Sequence, residues 1–324
     1  VVIADSFQPE TIAELQQLPI RVVEVAFEKS TKSKALNAAM IAIGDDYDIA
    51  VVLDADNIMK ANVLEKVNLA FESGYTAVQG HRIAKNMNNS IAILDAISEE
   101  VNNHIFRKGH RVAGLSSALI GSGMAFDFPS FKQRMAEIRA IGGFDKELEL
   151  TMLRDRIRIE YLEDALILDE KIQKADAFEN QRRRWLSAQF FYFRRFAWDG
   201  LIQLFTRGNL DYADKVYQMI QPPRILLLGL LTMITITVGA ITLINQSWTN
   251  LFLCIGFPYW LISWLMAVVA FLFAIPGKFY NPKTLKAILS LPVGFWLMLR
   301  SLLRLRGANK TFIHTQHGVS QPKE

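Results

Sequence analysis

Up to Arg224 the chain alternates short apolar runs with amphipathic stretches. Val1 to Ala4 reads as a buried strand ending at Asp5-Ser6. Thr11 to Gln17 has helical spacing, and Arg21 to Ala26 is again strand-like. Ile49 to Leu53 is apolar and mostly β-branched, which predicts a strand buried on both faces. Ala61 to Gly74 predicts an amphipathic helix with a glycine stop, and Thr76 to Gln79 another strand. This order predicts an α/β domain with a mostly parallel sheet and helices on both faces. Ser90 to Arg107 has helical spacing with a mixed-charge face. Lys146 to Arg154 is helical in its apolar spacing, and Asp145 before it fits an N-cap with acids in the first turn. Arg158 to Tyr161 and Ala165 to Asp169 read as short strands, with Glu163-Asp164 as a surface turn between them.

Beyond Arg224 the pattern changes. From Ile225 to Gly277 there is no Asp, Glu, Lys, Arg or His. A span needs about 20 apolar residues. Ile225 to Ile244 supplies one, and Leu251 to Ile275, with Pro258 inside it, a second. Asn245 to Asn250 is a polar, uncharged turn. Lys215, Arg224, Lys278, Lys283 and Lys286 flank the block on the other side, so the positive-inside rule places the turn outside and the large domain in the cytoplasm. Ala287 to Leu299 is short, contains Pro292 and is bounded by Lys286 and Arg300, which predicts an interfacial or re-entrant segment. Before it, Phe190, Phe191, Tyr192, Phe193, Phe196 and Trp198 interleave with Arg194 and Arg195, a composition suited to the bilayer interface. The predicted layout is a domain over 1–185, interfacial helices over 186–224, a membrane region over 225–303 and a cytoplasmic tail over 304–324. Within the membrane region, spans lie at about 225–244 and 251–275, and the third segment at 287–303.

Composition sharpens this picture. Hydrophobic residues make up 51% of the 324, and the mean hydropathy of +0.17 is raised by the apolar block alone. The single cysteine, Cys254, lies inside that block, so no disulfide framework or Cys-rich zinc site is available. The net charge of +4 is small, and the basic residues gather near the apolar block, which points to a membrane surface and away from nucleic acid. The chain opens on Val1 and directly on a strand-like run, from which we expect a missing N-terminus.

The candidate chemistry sits at element ends. Asp54 and Asp56 follow a buried strand, where α/β sheets place their ligands. Hard carboxylate oxygens suit Mg²⁺ or Mn²⁺ completed by substrate phosphates, and an acidic turn would show the same two residues. Lys29 to Met40 is a basic, Ser/Thr-rich loop entering a helix; it suits phosphate or a solvated surface. Gly121 and Gly123 flank Ser122, which permits close backbone approach to a ligand or a tight turn. On the helix that follows, Gln181, Arg182, Arg183, Arg184 and Trp185 place arginines around more than one face. One arginine can meet an anion and another solvent or lipid headgroups, while Trp185 can stack on a sugar or base.

With these pieces in place the chain resembles the family 2 glycosyltransferases, and among them the membrane-embedded synthases related to cellulose and hyaluronan synthase. The resemblance runs over nearly the whole chain. It implies a GT-A-like α/β domain followed by membrane helices in the cytoplasmic (inner) membrane. It also implies inverting transfer from a nucleotide sugar, UDP-linked, to a growing polysaccharide or glycan. By that resemblance Asp5 matches the aspartate that contacts uracil, and Lys32 and Asn37 match the Lys-x-x-Ala-Leu-Asn element near the nucleotide. Asp54 and Asp56 match the Asp-x-Asp motif that holds metal and diphosphate. Gly121-Ser122-Gly123 matches the element near sugar and acceptor. Gln181, Arg184 and Trp185 match Gln-x-x-Arg-Trp, the most specific of these motifs.

Two features depart from the family. Its Thr-Glu-Asp, whose aspartate is the general base, is replaced here by Gly143-Phe144-Asp145; Asp145 keeps the expected distance to Gln181, with Glu147 as runner-up. The family's first strand, with its Pro-x-x-Asn-Glu pattern, is absent, consistent with truncation. A non-processive enzyme acting on a lipid carrier, and an inactive membrane scaffold or sensor, are the rival readings.

Overall fold

The computed structural model describes residues 1–138, 140, 142–245 and 256–304. The N-terminal part builds β1 (Val2–Asp5), α1 (Pro9–Gln16), β2 (Val22–Val25), α2 (Lys32–Ile43), β3 (Ile49–Val52), β4 (Ile58–Met59) and α3 (Val63–Glu72). Then come β5 (Ala77–Ala84), α4 (Ser90–Asn102), a π-helical stretch Asn103–Gly109, α5 (His110–Val112), β6 (Met124–Asp127), α6 (Phe128–Glu137), α7 (Phe144–Arg154) and β7 (Glu160–Asp169). The C-terminal part is helical: α8 (Ala175–Arg207), α9 (Leu210–Gln218), α10 (Arg224–Asn245), α11 (Phe257–Ala274), α12 (Pro282–Ile288) and α13 (Leu291–Leu303).

The α/β class is as expected; the strand directions are not. β1 and β2 pair in parallel as a two-stranded sheet, and the five-stranded sheet has the order β3-β6-β5-β7-β4. In it only β5 and β7 are parallel, while β6 runs against both β3 and β5, and β4 against β7. The sheet is therefore mixed. The reversal comes from β6, which enters from the glycine-containing loop 119–123 instead of from a crossover helix, so it need not run with its neighbours. The two strands expected around Glu163-Asp164 are one strand, β7, with a register shift opposite Gly80/His81; the acidic pair sits exposed at that irregularity.

Two apolar layers enclose the sheet. One packs Met124, Phe126, Phe131, Met135, Leu148, Leu150, Tyr192, Phe196, Tyr212 and Val216 together, tying α6, α7, α8 and α9 to one face. The other packs Val63, Val67 and Ala70 of α3 against Val78, Ala125 and Ile167. The aromatic stretch on α8 is thus divided: Tyr192 and Phe196 are core residues, while Trp198 and Phe205 are 72% and 79% exposed. Because α8 runs unbroken from Ala175 to Arg207, the boundary expected at residue 185 falls inside a helix.

α10 and α11 are long and apolar enough to cross a membrane, over Arg224–Ile244 and Phe257–Ala274; α12 with α13, bent by 48°, makes a third candidate if the pair counts as one span. Pro258 sits in the first turn of α11, where its missing N–H costs nothing, so it starts the helix instead of interrupting a span. The polar turn 246–250, the start of the expected second span and Cys254, and the tail beyond 304 lie outside the described residues.

Candidate active site

β3 ends at Val52, and the chain turns at once through Asp54, Ala55, Asp56 and Asn57. Asn57 organises this turn. Its Oδ1 accepts from the Ser122 hydroxyl and from the Asp54 backbone N–H (3.4 Å), and its Nδ2 donates to Asp56 Oδ1 (3.2 Å) and Asp169 Oδ1 (3.0 Å). Ser122, fully buried, also accepts from the Asp54 N–H at 3.0 Å. A single amide therefore ties the Asp54 backbone and the Asp56 carboxylate to β7 and to the loop before β6. Gly123 in that loop has φ +64°, and a Cβ there would stand 2.6 Å from Ile167 Cδ1, so only glycine lets the loop lie on the strand.

Lys32, at the start of α2, forms an ion pair with Asp54 and donates to the Gly121 carbonyl at 2.8 Å. Its ammonium also sits 5.6 Å from the centre of the Phe144 ring at the start of α7. Lys32 thus joins the helix end, the Asp-x-Asp turn, the glycine loop and the helix that carries Asp145.

Asp145 is not the N-cap expected of it. Gly143 holds that position, with φ +69° and Ala188 Cβ only 3.1 Å from where its own Cβ would be. Asp145 stands in the first turn, its carboxyl within 4 Å of the space beside Gly121. A helix N-terminus would favour ionisation there. Burial wins: it raises the Asp145 pKa above the ordinary 3.8, helped by Glu149, against the pull of Lys146 and Lys32. Glu147 has another job. Its Oε1 accepts from Arg195 at 2.5 Å and its Oε2 from the Tyr192 hydroxyl at 3.3 Å, inside the packing of α7 on α8. Both of its oxygens are engaged away from the cavity.

These pieces meet in one cavity of about 800 Å³. Of the residues expected from sequence, Lys32, Asp54, Asp56, Gly121, Asp145, Gln181, Arg184 and Trp185 line it. Ser122 and Gly123 do not line it; Ser122 holds the Asp54–Asn57 turn behind the wall, and Gly123 packs on Ile167. Arg184 lies in the field of both Asp54 and Asp145, while burial draws its pKa down. Gln181 presents a buried Oε1 with no partner. Trp185 is 43% exposed and stacks under the Arg182 guanidinium, 4.6 Å from ring centre to Cζ. Two more expected residues lie further from this wall: Asp5, which accepts from Ser30 and Ser6, and Asn37, whose Nδ2 donates to the Met135 carbonyl at 2.8 Å and ties α2 to α6.

No group of three or more His, Cys, Asp or Glu side chains suited to a metal occurs among the described residues. Two carboxylates at a cavity rim nevertheless fit an ion that completes its shell with water and substrate phosphates, as Mg²⁺ does. Asp54 and Asp56 are the residues that would hold it.

Sequence reading missed Asn57, Asp169 and Lys171. Lys171 is 2% exposed and bonds Asp169 Oδ2 at 2.7 Å; Arg82 Nε donates to Glu99 at 2.8 Å and its Nη1 lies 3.5 Å from Asp169. Asp169 thereby stands between two cations and the Asn57 amide. Asn57 follows the Asp-x-Asp pair directly, and its side chain's habit of bonding turn backbone was the available signal.

Residues 1–188 match a family model described as glycosyltransferase like family 2. A search of the curated proteins found no match.

Proposed function

Since the chain belongs to the glycosyltransferase like family 2, we propose that it transfers a sugar, with inversion, from a UDP-sugar to a hydroxyl of a growing glycan at the cytoplasmic face of a membrane. The observation that carries this reading is the convergence of the Asp54–Asp56 turn, the half-buried Asp145 and Arg184 on one cavity wall.

The reaction balances as one displacement. The acceptor oxygen bonds to the anomeric carbon, the carbon–oxygen bond to the diphosphate breaks, and the hydroxyl proton passes to Asp145. A base with a raised pKa suits this role, since it holds the proton more firmly than an ordinary carboxylate. Arg184 and Lys32 face the charge that develops on the leaving diphosphate. A divalent ion at Asp54 and Asp56 would neutralise that diphosphate when bound. Gly121 leaves room beside Asp145 for the acceptor hydroxyl.

The test is donor-dependent release of nucleoside diphosphate by the full chain in membranes, run against a panel of nucleotide sugars with a glycan acceptor. Release that rises with acceptor supports the reading. Absence of release with every donor, from protein that retains its fold, removes it.

A further inference from the structure

Behind Asp145 the cavity wall holds two lysines and a carboxylate that the chemistry above leaves unused. Lys215 of α9 and Glu149 of α7 are 2% and 1% exposed. Lys215 Nζ lies 3.7 Å from Glu149 Oε1, and neither atom has a hydrogen-bond partner among the described residues. Glu149 Oε2 accepts instead from Lys146 at 3.3 Å. Lys146 Nζ also donates to the Leu119 carbonyl at 2.9 Å, in the loop that carries Gly121. The Asp145 carboxyl stands beside Gly121. A line of charges therefore runs from α9 through Glu149 and Lys146 to the place where the base meets its loop.

Lys215 has other acids in its field, Asp211 and Asp214 on its own helix. Both are committed elsewhere. Asp211 accepts from the Ser116 N–H at 2.9 Å and from the Ser116 hydroxyl; Asp214 pairs with His110 at 3.1 Å and accepts from Gln218. Glu149 is left as the counter-charge for Lys215. A buried ammonium without a hydrogen bond is costly, and an apolar residue would pack α9 on α7 as well.

Glu149 follows Asp145 by one helical turn and shares its face. By itself it disfavours charge on Asp145, while Lys146 and Lys32 of α2 favour it. Arg184 and Tyr192 of α8 also face Asp145, and Arg107 of the π-helical stretch faces Glu149. Lys215 offsets Glu149, so the two lysines and the carboxylate together present one net positive charge to Asp145.

We propose that Lys215 is a positioning residue for the base: it neutralises Glu149 from behind, which keeps Lys146 on the glycine loop and leaves Asp145 as a carboxylate open to the acceptor hydroxyl. The proposal rests on the transferase reading with Asp145 as the base.

The experiment is the pH dependence of kcat/KM for the full chain in membranes, with Lys215→Met, Glu149→Gln and the double variant. Lys215→Met leaves Glu149 less offset, so the acid limb should move to higher pH by about half to one unit. Glu149→Gln removes the opposing carboxylate, and the limb should move to lower pH by about as much. In the double variant the two changes cancel, and the limb should return close to that of the unmodified protein. Glu149→Gln and the double variant carry the test if Lys215→Met fails to fold. A limb that stays in place in the single variants that fold, or moves the same way in both, overturns the proposal and leaves the pair as helix packing. Infrared difference titration of the same proteins reads the Asp145 carboxyl without turnover, its band assigned by its loss in Asp145→Asn. Opposed shifts of that band in protein that releases no nucleoside diphosphate keep the role of Lys215 towards Asp145 and remove the transferase reading. An unmoved band in protein that does turn over does the reverse.

Discussion

The Asp54–Asn57 turn and the first turn of α7 both bring carboxylates to the cavity, and they are built in opposite ways. In the turn, each carboxylate has a partner: Lys32 on Asp54, Asn57 on Asp56, with Ser122 and Asp169 holding the Asn57 amide. On α7, Asp145 makes no ion pair among the described residues and has water removed around it, so its pKa rises. A partnered carboxylate pair suits a cation or, through it, a diphosphate. A desolvated one with no close partner gains affinity for a proton. Two identical side chains thus take different roles from their surroundings alone.

The largest effect that would break this comparison is expected at the turn. Asp56→Ala, or excess chelator on the unmodified protein, should abolish donor turnover, because the two carboxylates of this turn lie one residue apart on the cavity wall and would hold the ion. Full turnover in chelator would show that Lys32 and Arg184 neutralise the diphosphate unaided. Asn57→Ala should cost about ten- to a hundredfold in turnover, the usual scale for losing a group that orients ligands. Steady-state kinetics would read it, and an unchanged rate would mean that the turn holds itself.

Glu147→Gln sharpens the comparison from the other side. Its oxygens serve Arg195 and Tyr192, so the substitution should lower stability by roughly 1–3 kcal/mol while turnover at a permissive temperature stays near that of the unmodified protein. Denaturant unfolding and kinetics on one preparation would separate the two. The smallest effect is on the stability of Asp145→Asn. A carboxyl whose folded pKa is raised favours folding while protonated, and that contribution is lost as pH rises through the folded value. Above that folded value the charged, partly desolvated group is a burden, and there Asn should raise the melting temperature slightly. The gain should vanish at pH values below the ordinary 3.8, where folded and unfolded carboxyls are both protonated.

Much of this was legible in residue order. The apolar run ending at Asp54, the Lys32 helix start and the Gln181–Trp185 stretch all came to one wall, because each marks an element end that the α/β layout turns towards the same edge. β6 was not legible as a reversed strand, since Met124 to Asp127 is four residues behind a glycine loop and carries no direction in its composition. Asn37 and Asp5 have plausible spacing but no place on the cavity wall, since Asn37 spends its amide on α6. The pKa of Asp145 depends on how closely Gly121, Lys146 and Glu149 crowd it, which spacing along the chain does not record. Lys215 read only as a basic flank of an apolar block; its bare nitrogen appears once α9 closes on α7.

The pH dependence of kcat/KM, measured for the unmodified protein and for Asp145→Asn, bears most directly on the claim that Asp145 is the base. The unmodified protein should lose rate about tenfold per pH unit on an acid limb set by a pKa above 3.8. Asp145→Asn should fall by about 10² to 10⁴ at neutral pH with donor affinity little changed, and its residual rate should lack that limb. A variant that keeps both the rate and the acid limb of the unmodified protein would contradict the account.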